Sequence, residues 1–202
     1  MWKKIVYLTI ILLISSCTDE INCPGFPEKY LVWMPYIRGE EFLLTNGIDT
    51  FKFIVESVDI TKAYTAKCLK NWECSCDCYA IFTITSTNDF FPTIDISSDT
   101  YSYGADFRIA FQTDSGVDIL QFRDNNGESF LTYWPYQHNE FLNSYDNGYK
   151  IFNDVIKIES DTLLLPEILL SETQIYQIYI AKKVGIIQFT DRFNHKTWSL
   201  IE

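Results

Sequence analysis

Apolar and polar residues alternate along much of this chain with a period of two. Phe51, Phe53 and Val55 alternate with polar neighbours, and residues 105–112 repeat the pattern. Period-two alternation places apolar side chains on one face of an extended strand, as in a half-buried antiparallel sheet. After the first apolar segment, no stretch shows the 3.6-residue period of a long helix. The pattern therefore predicts β-strands throughout the body of the chain.

Turn signals separate these alternating segments. Asn46-Gly47, Asn126-Gly127 and Asn147-Gly148 each lie between two predicted strands. Asn-Gly tolerates the positive φ of a type I′ turn, so each dipeptide predicts a hairpin. A three-stranded meander is predicted near the end of the sequence, over residues 174–182, 184–190 and 196–201. The predicted fold class is all-β, an antiparallel meander that forms a sandwich or an open, barrel-like sheet, with no long helix after the leader.

The first 16 residues differ from the rest. Lys3 and Lys4 precede an apolar run over residues 5–14, which is too short for a membrane-spanning helix of about 20 residues. Ser15 and Ser16 supply the small residues that a signal peptidase needs. We therefore expect a signal peptide over residues 1–16.

The end of this leader, Leu13-Ile14-Ser15-Ser16-Cys17, resembles a bacterial lipobox. The resemblance implies that Cys17 becomes the first mature residue and carries lipid, which anchors the chain to a membrane. A plain secretory signal that is cut elsewhere is the alternative. Residues 17–27 contain turn formers and are expected to form a tether, followed by a single β-rich domain over 28–202.

Part of the sequence of this domain recurs. Residues 33–51 and 134–152 share Trp, Pro-Tyr, Glu-Phe-Leu and Asn-Gly in the same order. The repeat suggests two related halves, at about 28–100 and 101–202. Chance similarity between two aromatic-rich hairpins is the alternative.

The charge of the chain excludes one class of partner. The formal net charge is −11, and removal of the leader with Lys3 and Lys4 makes it more negative. Nucleic-acid phosphates need a basic surface, so we expect no nucleic-acid partner. The same charge disfavours adsorption of the whole chain to anionic lipid.

Five cysteines besides Cys17 are present. Export to an oxidising compartment favours disulfides among them, and their odd number leaves at least one unpaired within the chain. The pairing stays open among Cys23, Cys68, Cys74, Cys76 and Cys78. A thiolate metal site is disfavoured because only one residue separates successive cysteines of the 74–78 cluster, so we expect no metal.

No catalytic constellation, and hence no catalytic residue or cofactor, emerges from the residues. Two aromatic groups, Trp33 with Tyr36 and Trp134 with Tyr136, are candidates for contact with a glycan or peptide. Packing into the core is the alternative reading of both groups.

The C-terminal stretch carries a family resemblance. Residues 153–158, the meander segment over 178–189 and the final Trp198-Ser199-Leu200 resemble uncharacterised lipoproteins of Bacteroidota. The resemblance implies a bacterial outer-membrane location, lipid-anchored at the periplasmic face or the cell surface, and supplies no catalytic residues. Thr18-Asp19-Glu20 resembles the surface-export signal of such proteins, and Thr162 lies in a segment similar to their O-glycosylation pattern.

These observations predict an envelope-anchored lipoprotein whose β-rich domain is a non-enzymatic binding or structural module. Its expected partners are the membrane, through the lipid anchor, and an envelope protein or glycan. One alternative is a carrier that holds a lipid-like apolar ligand in a half-barrel. A hydrolase is the less favoured one.

Overall fold

The structure is a computed structural model that describes residues 18–69, 76, 78–87, 93–101, 104–113, 116–124, 137–160, 175–191 and 195–202. It contains one short helix, α1, over Glu28–Leu31. The strands are β1 (Thr18–Cys23), β2 (Glu41–Thr45), β3 (Thr50–Ile60), β4 (Tyr64–Leu69), β5 (Tyr79–Ser86), β6 (Thr93–Tyr101), β7 (Gly104–Thr113), β8 (Gly116–Asp124), β9 (Gln137–Asp146), β10 (Ile151–Ser160), β11 (Ile175–Ala181), β12 (Gly185–Asp191) and β13 (Thr197–Leu200).

Eleven of these strands form one antiparallel sheet that is nearly closed. Its order is β8-β7-β6-β5-β3-β2-β13-β12-β11-β10-β9. Within this sheet each strand pairs with the next one along the chain, except at β8 and β9, which form the two edges. The last strand, β13, pairs with the first, β2. The prediction of an all-β fold is confirmed, and the barrel-like sheet is the form that it takes.

The seam of this barrel-like sheet lies between β8 and β9. Every ladder in the sheet is antiparallel, so an odd number of strands forces the two edge strands to run in the same direction. No ladder joins them, although β8 lies close to β9, β10 and β11. The Asn139 side chain on β9 donates its Nδ2 proton to the Gln121 carbonyl oxygen on β8 at 3.2 Å. Between the described parts of β8 and β9, this side-chain bond therefore bridges the seam where no ladder forms.

The interior of the barrel-like sheet is packed with side chains. Phe107 stacks on Phe122 with ring centroids 4.4 Å apart, and Phe111 lies 5.3 Å from Phe189 on the other side of the barrel. Other inward-facing side chains of the described strands have almost no exposed surface, among them Leu44, Phe53, Val55, Ile84, Ile94 and Ile109. Their burial supplies the main stabilisation of the fold, at about 25 cal/mol per Å² of apolar surface removed from water.

Residues 26–36, which include α1, close one end of the barrel. The Tyr30 ring packs edge-on against Phe107, and Trp33 packs edge-on against Phe122. The indole Nε1 of Trp33 donates to the Asp124 carboxylate at 3.0 Å. We call this end, which also holds the β11–β12 turn and the β9–β10 turn, the plugged end.

The predicted tether over residues 17–27 is not seen as a tether. Thr18–Cys23 forms β1, which pairs with β4 in a separate two-stranded sheet, here called the ribbon. Phe26 N donates to Thr61 O at 2.9 Å, and Gly25 lies so close to this segment that a Cβ there would be 2.8 Å from backbone atoms. The folded part therefore includes residues next to Cys17. These residues pair with β4, and the composition of the segment does not reveal this partner.

A disulfide joins Cys23, at the base of the ribbon, to Cys76, with their Cα atoms 5.4 Å apart. This bond selects one of the pairings that the sequence leaves open. Cys78 was a candidate for a disulfide, but it is a buried free thiol. The side chains of Cys68 and Cys74 lie outside the described residues.

Two of the predicted Asn-Gly hairpins are present, between β2 and β3 and between β9 and β10. In each, the Asn side chain accepts from the backbone N–H groups two and three residues later, at 2.7–3.0 Å. Only the glycine of each turn has positive φ, +86° at Gly47 and +89° at Gly148. The predicted type I′ geometry is therefore wrong, because the Asn side chain replaces a backbone acceptor and keeps its own backbone in the ordinary region. The third dipeptide lies outside the described residues.

These two hairpins share the same pattern of Asn side-chain hydrogen bonds. The proposed boundary between two halves near residue 100, however, falls inside the β6–β7 hairpin. In this hairpin Thr93 pairs with Gln112, and the ladder continues to the pair of Tyr101 with Gly104. The two predicted halves are therefore parts of one continuous sheet.

Candidate binding cleft at the plugged end

A cleft of about 330 Å³ opens at the plugged end of the barrel. Four segments that are distant in sequence surround it: residues 35–42, the β9–β10 turn, the β11–β12 turn and residues 200–202. Its floor is apolar and largely buried, with Tyr36, Phe42, Phe152, Ile186 and Leu200. Its rim is charged and exposed, with Glu40, Glu41, Lys150, Lys183 and Glu202. A volume of this size lies at the lower end of the range for small-ligand sites.

Tyr36 fixes the centre of the floor. Its ring stacks on Phe42 and meets Phe82 edge-on, and its hydroxyl accepts a hydrogen bond from Ile186 N at 2.7 Å. Burial raises the pKa of Tyr36 well above the ordinary tyrosine value, although the hydrogen bond from Ile186 opposes the shift. The hydroxyl is therefore neutral and already bonded, which suits a structural floor.

Gly185 allows Tyr36 to lie where it does. Gly185 has φ of +90°, and a Cβ at this position would lie 2.3 Å from the Tyr36 hydroxyl oxygen. Lys183, two residues earlier, also has positive φ, at +64°. Its N–H donates to Val32 O at 2.5 Å, so the β11–β12 turn is tied to the plug.

The β9–β10 hairpin builds the opposite wall. Its tip extends past the end of β11 and returns over β12 and β13, where the Asn147 Nδ2 group donates to Ile187 O at 3.2 Å and to Leu200 O at 2.9 Å. Tyr145 stacks on Tyr179 with ring centroids 4.1 Å apart. These contacts hold Phe152 in the floor and place Lys150 on the rim.

The charged side chains of the rim have different partners. The Glu40 carboxylate accepts from Ile37 N at 2.9 Å, and Glu41 pairs with Lys52 at 3.1 Å. Within the described part of the chain, Lys150 and Lys183 form no ion pair. The Glu202 carboxylate also forms no ion pair among the described residues, so the rim offers a ligand two cations and one carboxylate beside an apolar floor.

This arrangement suits binding more than proton transfer. Burial raises the pKa of Tyr145 and of Tyr179, and both side chains are packed against each other outside the cleft. Hydrogen bonding to Lys157 lowers the pKa of Glu159, which also lies away from the cleft. The groups with perturbed pKa values thus have structural neighbours that explain them.

The aromatic residues predicted to contact a ligand have different positions. Trp33 is 1% exposed and packs in the plug, so its prediction as a ligand contact is wrong. The indole ring packs against Phe122, and its Nε1 donates to the Asp124 carboxylate. Tyr36 borders the cleft, but its hydroxyl is occupied. The other predicted site residues, Trp134, Tyr136, Thr162 and the lipidation candidate Cys17, lie outside the described residues.

The rim lysines were not predicted. Lys150 follows the Asn147-Gly148 turn, and Lys183 lies in the β11–β12 turn, so both turns were visible in the sequence. Their convergence depends on the fold-back of the β9–β10 hairpin, which the sequence pattern does not report.

Among the described residues, none of the helices has the length and apolar character needed to cross a membrane. Comparison of the chain with protein-family models, with curated proteins and with solved structures gives no match.

Proposed function

We propose that this protein is an envelope lipoprotein, anchored through Cys17, whose barrel-like domain is a non-enzymatic binding module. The anchor is supported by the lipobox-like leader and by the resemblance of the C-terminal meander to lipoproteins of Bacteroidota. That resemblance also supports an outer-membrane location. The proposed binding site is the cleft at the plugged end.

One observation carries the choice of the cleft: an apolar floor lies beside two lysines that have no ion-pair partner in the described structure. Such a site suits a ligand with an apolar part and an anionic group. An envelope peptide segment or an acidic glycan meets this description. The lysines lie on turns held by hydrogen bonds, so the site is preformed, which reduces the ordering cost of binding.

The packing of the interior favours the cleft over the alternative of an apolar carrier. Phe53, Phe107 and Phe111 fill the described centre of the barrel and have at most 1% exposed surface. A lipid chain inside the barrel would have to displace such side chains.

A binding experiment tests this proposal. Full-length protein is titrated with soluble envelope glycans and with acidic peptides, and binding is read from the rise in melting temperature that a ligand of the folded state produces. Lys150→Ala with Lys183→Ala should abolish the rise, whereas Lys196→Ala, at the opposite end beside Asp49, should leave it intact. Equal responses of these variants would contradict the assignment of the cleft.

A further inference from the structure

Exposed apolar side chains stand next to cations on three turns at the plugged end. Ile37 is 72% exposed and precedes Arg38. Tyr149 and Ile151, on either side of Lys150, are 53% and 71% exposed. Val184, 37% exposed, follows Lys183. Apolar residues flanked by lysine or arginine are typical of surfaces that enter the headgroup region of a bilayer.

The three turns surround one cleft and so lie on one surface. Lys150, Lys183 and Val184 line the cleft directly, and Ile37 follows Tyr36 of its floor. Among the described residues, Arg38 joins Lys150 and Lys183 in having no ion-pair partner. Arg38, Lys150 and Lys183 therefore place three cations without ion pairs in the described structure on this surface, beside the rim carboxylates of Glu40, Glu41 and Glu202.

The anchor reaches the barrel from the same end. In the β2–β3 ladder, Glu41 at the plugged end lies opposite Ile54. From Ile54 the strand β3 continues to Ile60, away from the Asn46-Gly47 turn. The second strand of the ribbon, β4, begins at Tyr64, shortly after β3 ends, and Tyr64 pairs with Cys23 of β1. This base of the ribbon therefore lies at the plugged end. Cys17 adjoins the far tip of the ribbon, and six residues of strand span only about 20 Å. A lipid on Cys17 would therefore keep the plugged end, rather than the opposite end, near the bilayer.

The opposite end carries a natural control. The Asn46-Gly47 turn has the same hydrogen bonds as the Asn147-Gly148 turn, and its Ile48 is 90% exposed. The residue after Ile48 is Asp49, where the other turn has Lys150 after Tyr149. One turn thus pairs an apolar tip with an anion and the other with a cation.

We infer that the three turns formed by Ile37-Arg38, Tyr149-Lys150-Ile151 and Lys183-Val184 dock on the phospholipid surface to which the chain is anchored. The inference rests on the proposed anchoring at Cys17 and names the surface that the anchored domain faces. Docking orients the barrel, with the plugged end toward the headgroups. The cleft then opens toward the membrane, and its ligand is one that is reached from the bilayer surface. Phosphate groups of the lipids would meet the three cations, and the isoleucine and tyrosine side chains would enter the interface.

Photochemical labelling tests the docking. The full chain is reconstituted in vesicles of phosphatidylethanolamine and phosphatidylglycerol that contain a phospholipid with a diazirine near its headgroup. Flotation is measured first, and after irradiation the labelled residues are mapped by mass spectrometry. We expect several-fold more label on the three turns than on the Ile48 turn. Ile37→Asp with Ile151→Asp should remove the label and leave flotation unchanged, whereas Ile48→Asp should change neither.

The outcomes separate the two proposals. A chain that floats but carries equal label on the Ile48 turn, or none on the three turns, would overturn the docking and keep the anchor. A chain that does not float would contradict anchoring at Cys17. The unlipidated full chain would then be irradiated with the same vesicles at high protein concentration, and absence of label on the three turns would overturn the docking as well. Label that disappears when envelope proteins are included would identify a protein as the occupant and would also overturn it.

Discussion

Replacement of Gly185 by alanine should destabilise the protein through one specific clash. The new Cβ would lie 2.3 Å from the Tyr36 hydroxyl oxygen and 2.5 Å from Tyr36 Cζ. The Tyr36 ring has little room to move, because it is 7% exposed and lies against Phe42 and Phe82. The substitution therefore displaces the floor of the cleft.

The magnitude has two parts. Alanine at positive φ costs about 1–2 kcal/mol wherever it occurs. Displacement of Tyr36 also breaks the 2.7 Å bond from Ile186 N and leaves a buried donor unpaired, which costs about 1–3 kcal/mol more. Gly148→Ala supplies the matched control, because Gly148 has φ of +89° against +90° for Gly185 and a Cβ there would meet nothing within 4 Å.

Equilibrium unfolding in urea, with the disulfide intact, measures both variants. We expect Gly185→Ala to lose at least about 1 kcal/mol more free energy of unfolding than Gly148→Ala, the least that the unpaired donor costs. In a Tyr36→Ala background the clash is gone, so Gly185→Ala should cost no more there than Gly148→Ala does. Equal losses in the wild-type background would refute the close packing of Tyr36 against Gly185.

Three further predictions concern the core, the disulfide and the buried tyrosines. Trp198→Ala should lower the free energy of unfolding by about 3–5 kcal/mol, since the indole is 4% exposed and packs on Phe51; a melting temperature near that of wild type would contradict this burial. Cys23→Ser with Cys76→Ser should cost about 4 kcal/mol, the loop-closure estimate for a sequence separation of 53, and unchanged urea stability would contradict a bond that constrains the unfolded chain. Burial raises the pKa of Tyr36, so its contribution to stability is complete below the unfolded tyrosine pKa of about 10 and is lost as pH rises above it. Urea midpoints between pH 8 and 11.5 should fall less steeply for Tyr36→Phe than for wild type. Phenolate absorbance that shows every tyrosine of the folded protein ionising near pH 10 would refute the shift.

The alternating pattern predicts the strands well because it reports burial directly. The segment predicted over 184–190 is observed as Gly185–Asp191, and that over 196–201 as Thr197–Leu200. In β5 buried positions alternate with more exposed ones, so the period of two is visible from the strand's own residues, whereas β12 is buried at every position from Gly185 to Thr190.

The closure of the sheet and the cleft depend on partners that are distant in sequence. Asn147 was predicted as a turn residue, but its side chain also donates to the carbonyl oxygens of Ile187 on β12 and Leu200 on β13. Trp33 was predicted as a candidate ligand contact, but its packing against Phe122 and its hydrogen bond to Asp124 place it in the plug. Local pattern cannot distinguish these roles, because it contains no information on which strands meet.

The identity of the first mature residue tests the central claim most directly. The protein is isolated from its native membrane without prior proteolysis, and its N-terminal peptide is released and its mass is measured. Anchoring predicts a peptide that begins at Cys17 and carries the added mass of a diacylglyceryl group on sulfur. Cys17→Ser should abolish this product and the incorporation of labelled palmitate. A native peptide that begins elsewhere, or a Cys17 with a free thiol, would contradict the lipoprotein assignment.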